Sequence, residues 1–202
     1  ILGRESTGAI SLLPENERPD TNQEQPREIN MDELSQRIRE RNHIPFNVWD
    51  GKVRLSIAGL QDKIAVYMNN GRMYLAQGGG IVSTHIVKPI PRREGLLTLV
   101  ANEHFCMKLA DAVGLRPAEV RIIRVPEPVL LIQRFDRMVT ESGISRTHII
   151  DACQALDMPS SYKYERNFGS NKDVSHIRDG VSFRRLFGLN NLSTAPALFN
   201  AQ

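Results

Sequence analysis

Between Val53 and Lys88 short apolar runs are separated by turn residues, a pattern that commits this part of the chain to antiparallel strands. VRLSI and IAVYM stand on either side of a polar loop, RMYLA follows the turn Asn69-Asn70-Gly71, and THIVKPI follows Gly78-Gly79-Gly80. A meander of this kind leaves an apolar face to be covered. The next stretch can cover it: Thr98 is placed to cap a helix through LVANEHFCMKLADAV, with Leu99, Phe105, Leu109 and Val113 near helical spacing and Gly114 past its end. VRIIRV and VLLIQRF read as two more strands, broken by Pro126 and Pro128 in a tight turn. The order strands, helix, strands predicts an α+β lobe with its helix on one face of an antiparallel sheet.

The flanks are less regular. Glu15 to Glu28 is polar, carries two prolines and no aromatic residue, and reads as a solvated linker. INMDELSQRIRERN then offers Asn30 or Asp32 as a cap before Leu34 and Ile38, a short amphipathic helix. Beyond Arg137, MVTESGISR is expected to be a loop or hairpin tip, THIIDACQALDM a helix, SSYKYERNFGSNKD a loop, and Val174 to Leu189 the start of another helix. The tail NNLSTAPALFNAQ has no periodicity from which Leu198 and Phe199 could pack. These readings divide the chain into a connector and linker (1–29), a sheet lobe (30–137) and the beginning of an incomplete helical lobe (138–202). A first residue of Ile1 rather than Met fits a piece of a longer chain or a processed one.

Composition excludes several classes. With 202 residues, 41% hydrophobic and 24% charged, the chain has the make-up of an ordinary globular protein. Cys106 and Cys153 are far apart, with no CxxC and no Cys/His cluster, so neither a disulfide framework nor a zinc site is expected, and a cytoplasmic location is. A net charge of +3 suits a small anionic ligand and falls short of a dedicated nucleic-acid binder. No apolar run approaches the roughly 20 residues that span a bilayer, so no membrane partner is expected.

The polar loop SIAGLQDK carries the first chemical signal. A strand, a turn containing Gly59 and a lysine, Lys63, just beyond it would let main-chain N–H groups approach an anion, because glycine removes the side chain that would block approach. An ordinary hairpin with a polar tip has the same appearance, and neither GxxxxGK[ST] nor GxGxxG is present. In THIVKP a lysine, Lys88, ends an otherwise apolar strand, and the helix that follows carries Glu103. Protein kinases steady a phosphate-binding strand lysine with a helix carboxylate in this order. Each residue taken alone also suits a solvated surface.

The segments SIAGLQDK, THIVKP, ANEHF, QRFDR, HIIDACQAL and MPSSYKYE occur in the order found in HipA-type serine/threonine kinase toxins of bacterial toxin–antitoxin modules, and the chain resembles that family from Ile1 to about Leu189. LGRESTGA at the start resembles the stretch joining the two N-terminal subdomains of such kinases. The resemblance implies a kinase-like nucleotide-binding lobe with ATP as ligand. It places Ser56, Ala58, Gly59, Leu60, Gln61, Asp62 and Lys63 on the phosphate-binding loop, Ser56 on the autophosphorylated serine, Lys88 on the ATP lysine, and Glu103 in support of it. Gln133, Arg134 and Phe135 fall on the connector whose backbone meets adenine. Gln133 and Ile150 stand where acidic residues are common in the family. No DxHxKN-like catalytic loop and no later metal-binding aspartate occur, so no catalytic or metal residue is assigned; Asp136, Asp151, Asp157, Asp173 and Asp179 lack the matching context. Mg²⁺ would be held only with the missing lobe supplied. The implied partners are an antitoxin protein, a separate N-terminal subdomain protein, and DNA only through the antitoxin. The reading is an ATP-binding portion of such a kinase, catalytically incomplete alone; the alternatives are one half of a split kinase or a small non-enzymatic regulatory or antitoxin-binding protein.

Overall fold

The computed structural model describes residues 6–10, 15, 26–54, 61–76, 81–141, 143–167, 173 and 178–192. Two compact units divide the chain, Ile1–His148 and Ile149–Gln202.

The first unit is built on a six-stranded antiparallel sheet. Its strands are β1 (Arg27–Ile29), β4 (Ile64–Asn69), β5 (Arg72–Leu75), β6 (His85–Pro89), β7 (Val120–Val125) and β8 (Glu127–Gln133), in the spatial order β1-β5-β4-β6-β8-β7. Helices α1 (Met31–Glu40) and α2 (Leu99–Ala112) belong to the same unit, as do the two-residue strands β2 (Val48–Trp49) and β3 (Lys52–Val53), which pair with each other. The α+β class expected of the sequence is the class of the protein. The β4–β5 hairpin closes on Asn70 and Gly71, whose φ values of 47° and 77° suit the two-residue turn that matches strand twist.

Side-chain alternation along β8 explains why the sheet has two covered faces. Val129 and Leu131 join a core with Ile29, Leu34, Ile38, Phe46, Trp49, Ile64, Val66, Met73, Leu75 and Val87. Leu130 points the other way and packs with Val100 of α2 and Val120. Thus α1 covers one face and α2 the opposite one. The sequence predicted a single helical layer; the second arises because Leu34 and Ile38 of α1, with 0% and 7% exposure, take part in the main core.

Local chemistry sets the helix ends. Asn30 caps α1, its Oδ1 accepting from the Glu33 N–H at 2.8 Å. Thr98 stands at the cap position of α2 without a capping side-chain bond, and Gly114, with φ 84°, ends that helix as expected. Arg27–Ile29 pairs with β5, so the polar stretch that reads as linker finishes as an edge strand. MVTESGISR is a hairpin: β9 (Arg137–Thr140) pairs with β10 (Gly143–Arg146).

In the second unit the elements are short. Helix α3 (Ala152–Ala155) opens with a capping box between Asp151 and Gln154, in place of the longer helix expected over 147–158. Strands β11 (Arg166–Asn167) and β12 (Arg178–Asp179) form a ladder that has no signal in the sequence. Of the span Val174 to Leu189 expected to begin a helix, Arg178–Asp179 is strand and helix α4 is confined to Phe183–Gly188.

Candidate functional site

Strand alternation decides where Lys88 points. In β6, Val87 enters the main core, so Ile86 and Lys88 face the other side, toward α2. On α2 the inward stripe runs Val100, Glu103, Met107, at the i, i+3, i+7 spacing of one helical face. Lys88 and Glu103 therefore meet: Nζ lies 2.5 Å from Oε1, with side-chain exposures of 20% and 26%. Partial burial strengthens such a pair and fixes the lysine without removing it from solvent.

At the other end of β6, His85 pairs with Gln133 and Lys88 pairs with Leu130. The candidate connector thus starts three residues from the lysine, about 10 Å along the strand. The N–H groups of Gln133 and Arg134 donate to the carbonyls of Glu119 and Thr84, at 2.8 Å and 2.9 Å. Phe135 is 58% exposed. Arg134, by contrast, is 3% exposed and its guanidinium grips Asp136 through two hydrogen bonds, Nε to Oδ1 at 2.9 Å and Nη2 to Oδ2 at 2.7 Å. Its side chain is engaged inside the protein.

Asp136 organises more than Arg134. Its Oδ2 also accepts from Arg137 Nη1 and from the Gly8 N–H, each at 2.8 Å, while the two arginines donate to the carbonyls of Ser6 and Gly8. Ser6 and Gly8, the described part of LGRESTGA that these bonds reach, are in this way clasped to QRFDR. Sequence reasoning singled out both segments and missed their contact; the one local signal was an alternation of charges, R-x-D-R, at the end of an apolar strand.

Of the loop residues, Ser56, Ala58, Gly59 and Leu60 lie outside the described residues. Gln61 and Asp62 are described and face the protein. Gln61 Nε2 donates to the Pro89 carbonyl at 3.4 Å, next to Lys88, and the Asp62 carboxylate faces Arg41 and Arg92. Lys63 directly precedes β4. Four aspartates outside the loop have structural surroundings: Asp136 is in the clasp, Asp151 caps α3, Asp157 has φ 52°, and Asp179 Oδ1 accepts from the Gly180 N–H. Ile150, in the place where the family commonly carries an acid, is 57% exposed. Among the described residues no group of three His, Cys, Asp or Glu is placed to hold a metal ion, and no helix is long and apolar enough to cross a membrane.

Residues 55–191 match the model of the HipA-like C-terminal domain, a span that includes the loop, Lys88, Glu103 and the connector. The chain belongs to the HipA-like family. Among its relatives, the serine/threonine-protein kinase toxin HipA of Shewanella oneidensis is 42% identical over 192 residues, which is 93% of this chain and 42% of that protein. The Y4mE protein of Sinorhizobium fredii is 33% identical over 208 residues, 98% of this chain and 48% of the relative. A solved complex of Shewanella oneidensis HipA with HipB and operator DNA superposes with a TM-score of 0.72 at 40% identity, covering 95% of this chain and 44% of that one. The chain spans less than half the length of the relatives it matches.

Proposed function

We propose that this chain is the ATP-binding portion of a HipA-like serine/threonine kinase. The observation that carries the reading is the Lys88–Glu103 pair at 2.5 Å, joining β6 to α2 in a chain of this family. A lysine held by a helix carboxylate is how kinases present a fixed positive charge to the α- and β-phosphates. The loop Ser56–Lys63 supplies main-chain donors to the same phosphates, and the connector beginning at Gln133 receives the base. The spacing of about 10 Å along β6 suits a nucleotide lying from base to phosphates. Because the N–H groups of Gln133 and Arg134 are used within the sheet, base recognition falls to the chain from Phe135 onward and to carbonyl groups.

Phosphoryl transfer needs a carboxylate at the attacking hydroxyl and ligands for Mg²⁺. The 202 residues hold no DxHxKN-like segment, so the chain by itself binds ATP weakly and transfers no phosphate. With a complete catalytic lobe supplied, Ser56 is the phosphorylation site, and its added charge beside the nucleotide phosphates lowers ATP affinity. An antitoxin is the proposed protein partner, DNA being reached through it, since the superposed HipA stands in a complex with HipB and operator DNA. The cytoplasm is the proposed compartment.

ATP titration of the chain, followed by calorimetry, tests the reading. Wild type should bind weakly, Lys88→Ala should lose most of that affinity, and Glu103→Gln should lose part of it. Equal ATP affinity in wild type and Lys88→Ala would overturn the assignment, as would Lys88-dependent transfer of labelled γ-phosphate for the claim of catalytic incompleteness.

A further inference from the structure

The downstream end of the candidate phosphate loop is held by groups that no matched motif contains. Arg41 follows α1, and its Nε lies 3.8 Å from Asp62 Oδ2; Arg92, in the connector between β6 and α2, places its Nε 3.5 Å from the same oxygen. These separations make ion pairs, with attraction but little directional bonding. Arg92 also donates to the Arg41 carbonyl at 3.4 Å and to Asn42 Oδ1 at 3.1 Å, so its side chain is fastened to the segment that carries Arg41. One residue before Asp62, Gln61 is bonded to the Pro89 carbonyl. The end of the loop is therefore tied to α1, to the end of β6 and to the connector.

The electrostatics give these ties a purpose. Asp62 is an acid within a loop assigned to phosphates, and an uncompensated carboxylate there repels a polyanion. Arg41 has a side-chain exposure of 11%; burial pushes its pKa down, and Asp62 is the nearby anion that most favours its charged form. Its Nη1 is buried without a hydrogen-bond partner, as is Glu127 Oε2 at the start of β8. The buried cation and the loop carboxylate thus compensate each other.

We propose that Asp62 is a positioning residue, clamped by Arg41 and Arg92, which fixes the return of the loop into β4 relative to Lys88 and keeps the Asp62 charge from opposing the nucleotide phosphates. α1 and the β6–α2 connector in this way govern nucleotide affinity through Asp62. The inference rests on the nucleotide-binding reading above.

A double-mutant cycle on the full chain tests it. Arg92 is the suitable handle, because its side chain is 52% exposed and its loss should leave the thermal midpoint unchanged. Arg92→Met should weaken ATP binding roughly twofold to fivefold, Arg92→Lys should restore part of the loss, and Arg92→Met should have no effect once Asp62→Asn is present. Equal losses from Arg92→Met in both backgrounds would mean that Arg92 meets phosphate directly, and would overturn the clamp. Hydrogen exchange without nucleotide gives a second measurement: the Asp62 and Lys63 amides should exchange faster in Arg92→Met than in wild type. Unchanged exchange would sink the clamp independently of ATP. A wild-type chain that binds no ATP but shows the exchange effect would remove the nucleotide reading and leave the clamp standing.

Discussion

Asp136 is 3% exposed and accepts four hydrogen bonds, two from Arg134 and one each from Arg137 and the Gly8 N–H. Burial pushes its pKa up; the hydrogen bond from Arg134, then the Gly8 N–H, then the charges of Arg134 and Arg137 push it down and outweigh burial. The carboxyl is held below its ordinary value, so the sign of the pH effect follows. A group with a depressed folded pKa contributes its full stability above its unfolded value, near 4, and loses it as pH falls through the folded value. Asp136→Asn removes that contribution and leaves two buried guanidinium groups without their anion, at a cost of about 3 kcal/mol or more. Urea denaturation at neutral pH should show this as an earlier midpoint, and the difference from wild type should shrink as pH is lowered below about 4. An unchanged midpoint would mean that the clasp on Ser6–Gly8 contributes nothing to the fold. Such enclosure also leaves this aspartate unable to approach a substrate hydroxyl.

Helix α2 shows at the scale of an element how an amphipathic segment divides its labour. Val100 is 2% exposed, whereas Phe105, Leu109 and Val113 are 63%, 52% and 67% exposed. Val100→Ala should cost about 2 kcal/mol, as two buried methyl groups and the space they leave are worth, while Phe105→Ser should stay within about 0.5 kcal/mol of wild type. Thermal or urea unfolding separates the two; equal losses would place Phe105 in the core. The helix itself was legible, since an apolar period near 3.6 and Gly114 mark it. Its buried stripe was not, because apolar residues occur around most of the circumference and periodicity alone cannot choose between Phe105 with Leu109 and Val100 with Met107. The choice matters for function, because the stripe that enters the sheet carries Glu103 to Lys88. Strands β4 to β8 were legible from their apolar runs and turns. Strand β1 was not, since three residues with one buried side chain, Ile29, leave no pattern. The clasp of Ser6–Gly8 on Arg134–Arg137 joins segments some 128 residues apart and leaves no periodic trace in either.

At the scale of the whole molecule, the described residues include many large apolar side chains open to solvent. The first unit exposes Phe105, Val113 and Leu115, and the second exposes Phe183 at 78% and Phe187 at 74%, their rings stacked with centroids 6.3 Å apart on α4. A phenylalanine ring can bury on the order of 150–250 Å², which at about 25 cal/mol per Å² is on the order of 10 kcal/mol for the pair when both rings are fully covered. Association costs on the order of 4–15 kcal/mol in lost freedom, a sum of the same size. Weak, concentration-dependent association is the outcome of that balance. Light scattering should therefore show a monomer when the chain is dilute and a rising apparent mass as it is concentrated. Phe183→Ser with Phe187→Ser should lower the rise, with little effect on unfolding, because neither ring is buried. Supplying the remaining half found in full-length relatives should lower it as well if that half covers the same rings. A chain that stays monomeric through the millimolar range would show that these rings are tolerated in water. In that case the apolar face of α4 has no need of a cover.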